Sequence, residues 1–357
     1  MDKQAKVLMK GTDAIAEAAV QAGCRCYFGY PITPQNEIPE YMSRRMQEVD
    51  GIFLQGESEI ASINMVLGAS ASGVRSMTSS SSPGISLKQE GLSFMAALEL
   101  PAVIVNIVRG GPGLGNIAPS QGDYYQATRG GGHGDYRMPV YGPASVQELY
   151  DITMRAFDVA DCFRTPVMIL GDGMMGQIVE PVVPHERDAL ELPLKDYILD
   201  GAEGRPSRIV KSLILDVREM EEHNWKLKRK YDLMKKKLPL YEEYLTEDAK
   251  LTVVAYGTAA RIAKGAVNRA RSHGLKIGLF RPITLWPFPD EAIVNLTKKT
   301  KLLLVFEMST GQMIDDVRLA VEGRVDCEFY GRPGGVVPAP QEISRIIERH
   351  WLQKELQ

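Results

Sequence analysis

The sequence predicts an α/β fold of two units, each built on a largely parallel sheet that helices cover. Apolar strand-like runs alternate with helical patterns through the first half of the chain and again after residue 250. Strands that are apolar on both faces are typical of buried parallel sheets. The chain has 357 residues, more than one typical domain, and 44% of them are hydrophobic, which is enough for a substantial core.

The first predicted unit spans residues 1–190. Helical patterns lie at 12–21, 35–48, 57–72, 85–98 and 145–160. Strand-like runs lie at 25–29, 52–55, 74–78, 102–108 and 167–170. Because the two signals alternate, we expect parallel strands whose carboxyl ends meet at one edge, where open α/β sheets bind ligands.

Residues 191–249 are predicted to be a linker that contains an amphipathic charged helix. Its apolar stripe follows a heptad spacing at Val217, Met220, Leu227, Tyr231, Met234 and Leu238. The second unit, residues 250–357, has strand-like runs at 251–256, 276–280 and 301–306. Its helical patterns lie at 259–271, 290–297, 313–321 and from about 340.

Composition excludes several functional classes. The net charge of −3 argues against a nucleic-acid binder. No apolar run approaches membrane-spanning length and no signal peptide opens the chain, so we expect no membrane contact and a cytoplasmic location. The four cysteines form no CxxC pair and suit neither a zinc site nor an iron–sulfur cluster. Any redox metal centre is therefore expected on another chain.

A proline-bounded loop, Tyr30-Pro31-Ile32-Thr33-Pro34, follows one predicted strand. Its prolines fix φ and forbid helix between them, so we expect a stiff loop. It presents the hydroxyl of Thr33 at the carboxyl end of the strand. An isolated pattern of this kind most often marks an ordinary turn, so other residues have to decide its role.

Two carboxylates, Glu57 and Glu59, stand where the next strand meets its helix. The helix dipole favours acidic residues at this place, which accounts for one of them. Glu59 opens an apolar helix rich in small residues, so we expect it to be partly buried at the sheet edge. A carboxyl group in that position is suited to hydrogen-bond a ligand nitrogen.

Further strand ends carry polar groups. The four serines at 79–82 precede a helix, where they can form a cradle for an anion or simply cap the helix. Arg109 opens a glycine-rich loop and can bind a carboxylate through two hydrogen bonds or form a structural ion pair. His133 lies in a second glycine cluster, and we interpret it as a loop-packing residue.

Gly171-Asp172-Gly173 is similar to the start of the magnesium–diphosphate motif of thiamine enzymes. That motif continues to an asparagine, and here no asparagine occurs between Asn116 and Asn224. We therefore interpret the three residues as a turn after a strand and predict no metal site in this chain.

The specific motifs are YPITP at 30–34, Glu59 with its helix, SPGISLKQEG at 82–91, ELPAV at 99–103, RGGPG at 109–113, FRPITLWPFP at 280–289 and EMSTGQM at 307–313. Together they resemble the α subunit of the 2-oxoacid:ferredoxin oxidoreductases. Within that family the chain is most similar to the type that acts on 2-oxoisovalerate, also called 3-methyl-2-oxobutanoate, a branched-chain acid. The resemblance covers essentially the whole chain.

The resemblance implies a thiamine diphosphate pyrimidine-binding domain at 1–190 and a transketolase C-terminal-like domain at 250–357. It implies that Glu59 contacts N1′ of the aminopyrimidine, that Thr33 lies near the substrate and that Arg109 binds the substrate carboxylate. The remaining implied cofactor contacts are Tyr30, Pro31, Ile32, Ser80, Ser81 and Ser82. The serine loop departs mildly from the family, which often has Thr and Gly there.

The implied reaction is oxidative decarboxylation of a branched-chain 2-oxoacid with coenzyme A, which yields acyl-CoA, CO₂ and reduced ferredoxin. The resemblance implies a β subunit that carries the diphosphate and Mg²⁺ site, a γ subunit and a ferredoxin-like δ subunit. Iron–sulfur clusters are implied on partner subunits. The active site would then lie between chains.

Three alternatives stay open at this point. The substrate can be 2-oxoglutarate or another 2-oxoacid, and a second cation near Arg109 would favour 2-oxoglutarate. The chain can be a non-catalytic assembly subunit, against which the presence of Glu59, Thr33 and Arg109 argues. A self-sufficient thiamine decarboxylase is disfavoured because the complete magnesium–diphosphate motif is absent.

Overall fold

A computed structural model describes residues 5–186 and 191–354 of the protein. In chain order the first part contains β1 (Val7–Lys10), α1 (Gly11–Gln21), β2 (Cys26–Gly29), α2 (Glu37–Glu48), β3 (Ile52–Gln55), α3 (Glu59–Ala71), β4 (Ser76–Ser80), α4 (Pro83–Leu98), β5 (Ala102–Val108), α5 (Tyr124–Arg129), β6 (Val140–Tyr141), α6 (Val146–Phe163), β7 (Pro166–Asp172), α7 (Gly173–Gln177) and β8 (Val179–Val182).

The later part contains α8 (Val217–Lys237), β9 (Tyr241–Tyr244), β10 (Leu251–Val254), α9 (Gly257–Ser272), β11 (Ile277–Pro282), β12 (Thr284–Trp286), α10 (Asp290–Leu296), β13 (Leu302–Glu307), α11 (Met313–Val321), β14 (Asp326–Gly331) and α12 (Pro340–Gln353). None of the helices in the described ranges is both long and apolar enough to cross a membrane.

Seven strands form the largest sheet, in the spatial order β12-β6-β7-β5-β4-β2-β3. Strands β2 to β7 pair in parallel, and β12 joins the edge antiparallel to β6. Every residue of β2, β4, β5 and β7 is buried, which explains their near-continuous runs of apolar and small residues. The α/β fold with a parallel sheet, predicted from the sequence, is confirmed.

The second sheet has the order β14-β13-β10-β11-β9, in which only β9 runs antiparallel to its neighbour. A separate core of buried side chains from this sheet, α9 and α12 supports it. Strand β12 belongs to the later part of the chain but extends the first sheet, so the two units interlock. The domain boundaries at 190 and 249 stay predictions.

Two local predictions were wrong. Strand β4 runs on through Ser79 and Ser80, so the serine cradle begins inside the sheet rather than in a loop. Strand β7 includes Asp172, whose carboxylate accepts hydrogen bonds from the backbone of Met174 and Met175 at 2.9 and 3.0 Å. Asp172 is thus a strand end and helix cap rather than part of a turn. Both strands continue because β5 pairs with these residues: Ser79 and Ser80 lie opposite Val105 and Asn106, and Asp172 lies opposite Val108.

The stripe on helix α8 packs only along its second half. Leu227, Tyr231 and Met234 are buried, whereas Val217 is 80% exposed. Tyr231 meets Trp286 edge to face, with ring centroids 6.0 Å apart. The heptad spacing therefore predicted the helix correctly but overestimated the length of its buried face.

Gln121 joins the two units. Its Nε2 donates to the carbonyl of Tyr256 at 2.9 Å, and its Oε1 accepts from the backbone N–H of Met308 at 2.9 Å. Nearby, Arg129 forms two hydrogen bonds with the carboxylate of Asp316. These contacts hold the segment that follows Arg109 against the second unit.

Candidate active site

Four adjacent parallel strands bring the candidate residues to one edge of the sheet. The loop with Thr33 follows β2, Glu59 follows β3, the serines end β4 and Arg109 follows β5. These strands are neighbours in the order β5-β4-β2-β3. Because the strands are parallel, their carboxyl ends share one edge.

Arg109 is 7% exposed and connects three segments of this edge. Its Nη1 donates to the carbonyl of Thr33 at 3.0 Å, and its Nη2 donates to the carbonyl of Leu114 at 3.1 Å. Its backbone N–H donates to the hydroxyl of Ser82 at 3.1 Å. Its buried Nε has no hydrogen-bond partner among the described residues, and Nη1 and Nη2 each make one of the two bonds that they can donate, so the guanidinium keeps donors for a ligand.

Glu59 begins α3, and its side chain is pressed against α4. It is 6% exposed, whereas the neighbouring carboxylate of Glu57 is exposed. A Cβ on Gly84 would lie 2.5 Å from Glu59 Oε1 and would also collide with the hydroxyl of Ser80. Gly84 thus lets a buried carboxylate and a buried hydroxyl approach the start of α4.

The serines differ in what they contact. Ser79 is hydrogen-bonded to Tyr27 and Gln35, so it supports the sheet edge. Ser80 and Ser81 have buried hydroxyls without a hydrogen-bond partner among the described residues. Because buried polar groups are normally satisfied, these hydroxyls and the Glu59 carboxylate fit a site for a polar ligand. The residues present are therefore compatible with the polar aminopyrimidine of a thiamine cofactor.

Hydrogen bonds from the next residue, Gln35, hold the loop at 30–34 in place. Gln35 donates through Nε2 to the carbonyl of Tyr30 at 3.4 Å, and through its backbone N–H to that of Ile32 at 3.1 Å. Pro31 and Thr33 are exposed, and Tyr30 and Ile32 are half-buried. The stiff loop expected from the prolines is thus tied by further hydrogen bonds.

A cavity of about 620 Å³ lies beside Thr33. Its lining is Thr33, Pro34, Asn36, Glu37, Ile117, Pro119, Gly173, Met174, Gln177 and Val337. Glu37 is the only charged residue in this lining, and its carboxylate is 3.3 Å from Lys10 Nζ. Val337 comes from the second unit, so both units shape the cavity.

Two polar residues of this region were missed in the sequence. Asn106, on β5, accepts from the backbone N–H of Ser82 at 3.1 Å and donates to Asp123 at 2.9 Å. Burial raises the pKa of Asp123, against the effect of its hydrogen bonds to Asn106 and Ser82. In the sequence, Asn106 could have been recognised as a candidate site residue because it is the one amide side chain in the otherwise apolar run of β5. Lys88, on α4, is fully buried, and its position four residues after Gly84 was its signal.

His133 lies outside the group of residues that Arg109 connects. Its ring meets Phe94 edge to face, with centroids 6.1 Å apart, and its carbonyl accepts from Ser93 Oγ at 2.7 Å. These contacts agree with a loop-packing residue. Residues 5–186 and 191–354 contain no group of three or more His, Cys, Asp or Glu side chains that could hold a metal ion.

Two family profiles match the chain. Residues 17–260 match the thiamine diphosphate-binding domain of the pyruvate flavodoxin/ferredoxin oxidoreductases, and residues 249–343 match core domain II of pyruvate:ferredoxin oxidoreductase. The chain belongs to the 2-oxoacid:ferredoxin oxidoreductase family. The family fold therefore comprises a thiamine diphosphate-binding domain followed by a transketolase C-terminal-like domain, as the resemblance implied.

Relatives within the 2-oxoacid:ferredoxin oxidoreductases cover nearly the full chain. The ketoisovalerate oxidoreductase subunit VorB of Methanothermobacter marburgensis is 49% identical over 340 residues, which is 95% of this chain and 96% of the relative. The 2-oxoglutarate synthase subunit KorA of Methanothermobacter thermautotrophicus is 37% identical over 366 residues, 95% of this chain and 97% of the relative.

Solved structures agree with this family. The 2-oxoglutarate:ferredoxin oxidoreductase from Magnetococcus marinus, with 2-oxoglutarate, coenzyme A and succinyl-CoA bound, superposes with a TM-score of 0.87 at 25% identity. The match covers 98% of this chain and 66% of that one. A split-gene transketolase, an inactive β4 tetramer, shares the fold at a TM-score of 0.61 and 13% identity over 96% of this chain and 97% of that one.

Proposed function

We propose that this chain is the catalytic α subunit of an enzyme that oxidatively decarboxylates a branched-chain 2-oxoacid. The products are acyl-CoA, CO₂ and reduced ferredoxin, with coenzyme A as co-substrate. The observation that carries the choice of substrate is the cavity beside Thr33, whose lining is largely apolar and, among the residues that the structure describes, includes no cationic side chain.

The cavity suits an isopropyl group better than a second carboxylate. Ile117, Pro119, Met174 and Val337 offer apolar surface to a branched side chain. The distal carboxylate of 2-oxoglutarate would instead need a cationic partner, and the only charge in the lining is the negative one of Glu37. The higher identity to a ketoisovalerate subunit than to a 2-oxoglutarate subunit supports the same choice.

The side chains at the sheet edge have separate roles in this proposal. Bound thiamine diphosphate supplies the electron sink for decarboxylation. Glu59 hydrogen-bonds N1′ of its aminopyrimidine, next to the unsatisfied hydroxyls of Ser80 and Ser81. Arg109 holds the substrate carboxylate with the guanidinium donors that its protein contacts leave over, and the contact of Arg109 with Thr33 fixes where that carboxylate lies.

We assign the rest of the site to partner subunits. A β subunit would bind the diphosphate and Mg²⁺, and γ and ferredoxin-like δ subunits would complete the complex. Iron–sulfur clusters on these partners would carry the electrons to ferredoxin. In support of this division, Cys24 and Cys26 of this chain are buried, and Cys162 and Cys327 lie far from them in the sequence, so the four cysteines form no CxxC pair.

A substrate panel on the reconstituted complex tests the proposal. Reduction of a viologen dye or ferredoxin is followed with 3-methyl-2-oxobutanoate, 2-oxoglutarate and pyruvate, each with coenzyme A. We expect the highest kcat/KM with 3-methyl-2-oxobutanoate. A preference for 2-oxoglutarate contradicts the substrate assignment. If this chain can be omitted from the complex without loss of turnover, its catalytic role is refuted.

A further inference from the structure

Helices α3 and α4 pack closely along one face of α4. A Cβ on Gly84 would lie 2.5 Å from Glu59 Oε1, and a Cβ on Gly91 would lie 2.6 Å from Ile63 Cγ2. Positions 84, 88 and 91 share one helix face, because residues three and four apart are neighbours on a helix. Lys88 therefore lies between these two contacts, one turn along α4 from the point where the Glu59 carboxylate touches it.

Lys88 is fully buried, which is rare for a lysine. Its Nζ donates to the hydroxyl of Thr78, on β4, at 2.9 Å. Thr78 and Ser80 are two residues apart on this strand, so their side chains lie on the same face of the sheet. Lys88 and Thr78 thus form the layer directly beneath Gly84, Ser80 and Glu59.

Glu59 is the charged group that faces Lys88. Glu59, on α3, carries a negative charge that favours the ammonium form of Lys88. Strand β4 contributes only the neutral hydroxyl of Thr78. Glu90, on the same helix as Lys88, is exposed to solvent. Burial lowers the pKa of Lys88 to about 7, against the opposing effect of Glu59. The amine therefore changes charge in the neutral pH range, directly behind the carboxylate at the proposed cofactor site.

We propose that Lys88 is a positioning residue whose charge, held in place by Thr78, acts on the Glu59 side chain and makes cofactor binding depend on pH. When the Lys88 amine is protonated, its positive charge attracts the negative charge of the Glu59 carboxylate. When the amine loses its proton, that attraction is lost. The hydrogen bond between Glu59 and the aminopyrimidine then changes in strength. This inference rests on the proposed role of Glu59 but not on the identity of the 2-oxoacid.

Calorimetric titration of the assembled complex with thiamine diphosphate and Mg²⁺ tests the inference without any turnover. The Kd is measured at several values between about pH 6 and about pH 9, on both sides of the pKa of Lys88. We expect the wild-type Kd to change by about tenfold through an inflection near neutral pH, as for one charge acting on a nearby carboxyl group. Lys88→Met, which removes the titrating amine but keeps the chain length, abolishes the inflection.

Lys230→Met is the matched control. Lys230 is likewise a lysine that faces a buried glutamate, with its Nζ 3.0 Å from Glu99 Oε1, but it is only part-buried and lies on α8. This variant retains the inflection. If the inflection persists in Lys88→Met, or is lost in both variants, the inference is wrong.

Thr78→Val provides a second test that keeps the lysine. The variant removes only the hydroxyl that accepts the Lys88 hydrogen bond, so the ammonium is less favoured and the inflection moves to lower pH. An inflection that does not move overturns the inference even if Lys88→Met fails to assemble. A wild-type complex that binds cofactor with no inflection refutes the role of Lys88 alone. A wild-type complex that binds no cofactor refutes the proposed function as well.

Discussion

The guanidinium of Arg109 donates from Nη1 to the backbone carbonyl of Thr33 at 3.0 Å. This bond connects the end of β5 with the loop after β2, two strands away across β4. The proposed carboxylate-binding side chain and the exposed threonine beside the cavity are therefore positioned by one contact. A change at Arg109 is expected to disturb both the charge and the shape of the substrate site.

Arg109→Lys is expected to lower kcat/KM for the 2-oxoacid by about tenfold to a hundredfold, as loss of charged hydrogen bonds does. Lysine keeps the positive charge but cannot reach both the Thr33 and Leu114 carbonyls in the planar geometry of a guanidinium. Steady-state kinetics on the complex measures the effect. Arg44→Lys, at an exposed position on α2, is the control. Unchanged kcat/KM in Arg109→Lys would show that Arg109 does not bind substrate.

Val337→Arg is expected to change substrate preference. It places a cation in the lining of the cavity, so kcat/KM falls for 3-methyl-2-oxobutanoate and rises for 2-oxoglutarate relative to it. The ratio of the two kcat/KM values is the measurement. Val336→Arg is the matched control. Val336 is 46% exposed and Val337 is 38% exposed, but Val336 does not line the cavity. Equal ratios in both variants would place the substrate side chain elsewhere.

Lys88→Met is expected to stabilise the isolated full-length chain at low pH and to have little effect at high pH. The pKa of Lys88 is lowered to about 7 in the folded state by burial, with Glu59 opposing, and is near its ordinary value when unfolded. Burying the charged amine therefore lowers the free energy of unfolding by its full amount below about pH 7, and this loss of stability disappears towards about pH 10.4. The difference in Tm between variant and wild type, measured across this range, should shrink as pH rises. A difference that grows with pH would refute a charged, buried Lys88.

The isolated chain is expected to bind thiamine diphosphate weakly, and the assembled complex tightly. This chain offers Glu59 and the hydroxyls of Ser80 and Ser81 for the cofactor, whereas the diphosphate and Mg²⁺ contacts are assigned to another subunit. Equilibrium dialysis of both forms at one Mg²⁺ concentration measures the difference. Tight binding by the isolated chain would refute a site shared between subunits.

Local patterns in the sequence predicted most of the elements that carry the site. The strands that precede Glu59 and Arg109 begin and end at the predicted residues, because each is a short apolar run bounded by turn-forming residues. Glu59 was expected to be buried because an apolar helix follows it, and it is. The catalytic and cofactor-binding roles of these residues stay predictions.

Contacts between distant segments were not predictable in this way. Strand β12 pairs with β6 across more than a hundred residues of chain, and neither short run alone indicates the pairing. The cavity beside Thr33 needs Val337 from the other unit, which no local pattern connects with the loop at 30–34. The spacing of Lys88 from Gly84 places it on the same face of α4, but only the packing of α3 against that face shows that its amine lies inside.

Whether Glu59 acts on the cofactor of a 2-oxoacid:ferredoxin oxidoreductase can be measured with a pair of matched substitutions. Glu59→Gln and Glu57→Gln each remove one carboxylate two residues apart, the first buried and the second exposed. Turnover of 3-methyl-2-oxobutanoate by the reconstituted complex is expected to fall by at least about a hundredfold in Glu59→Gln and to stay at the wild-type level in Glu57→Gln. Wild-type turnover in Glu59→Gln would show that the Glu59 carboxylate does not act on the cofactor.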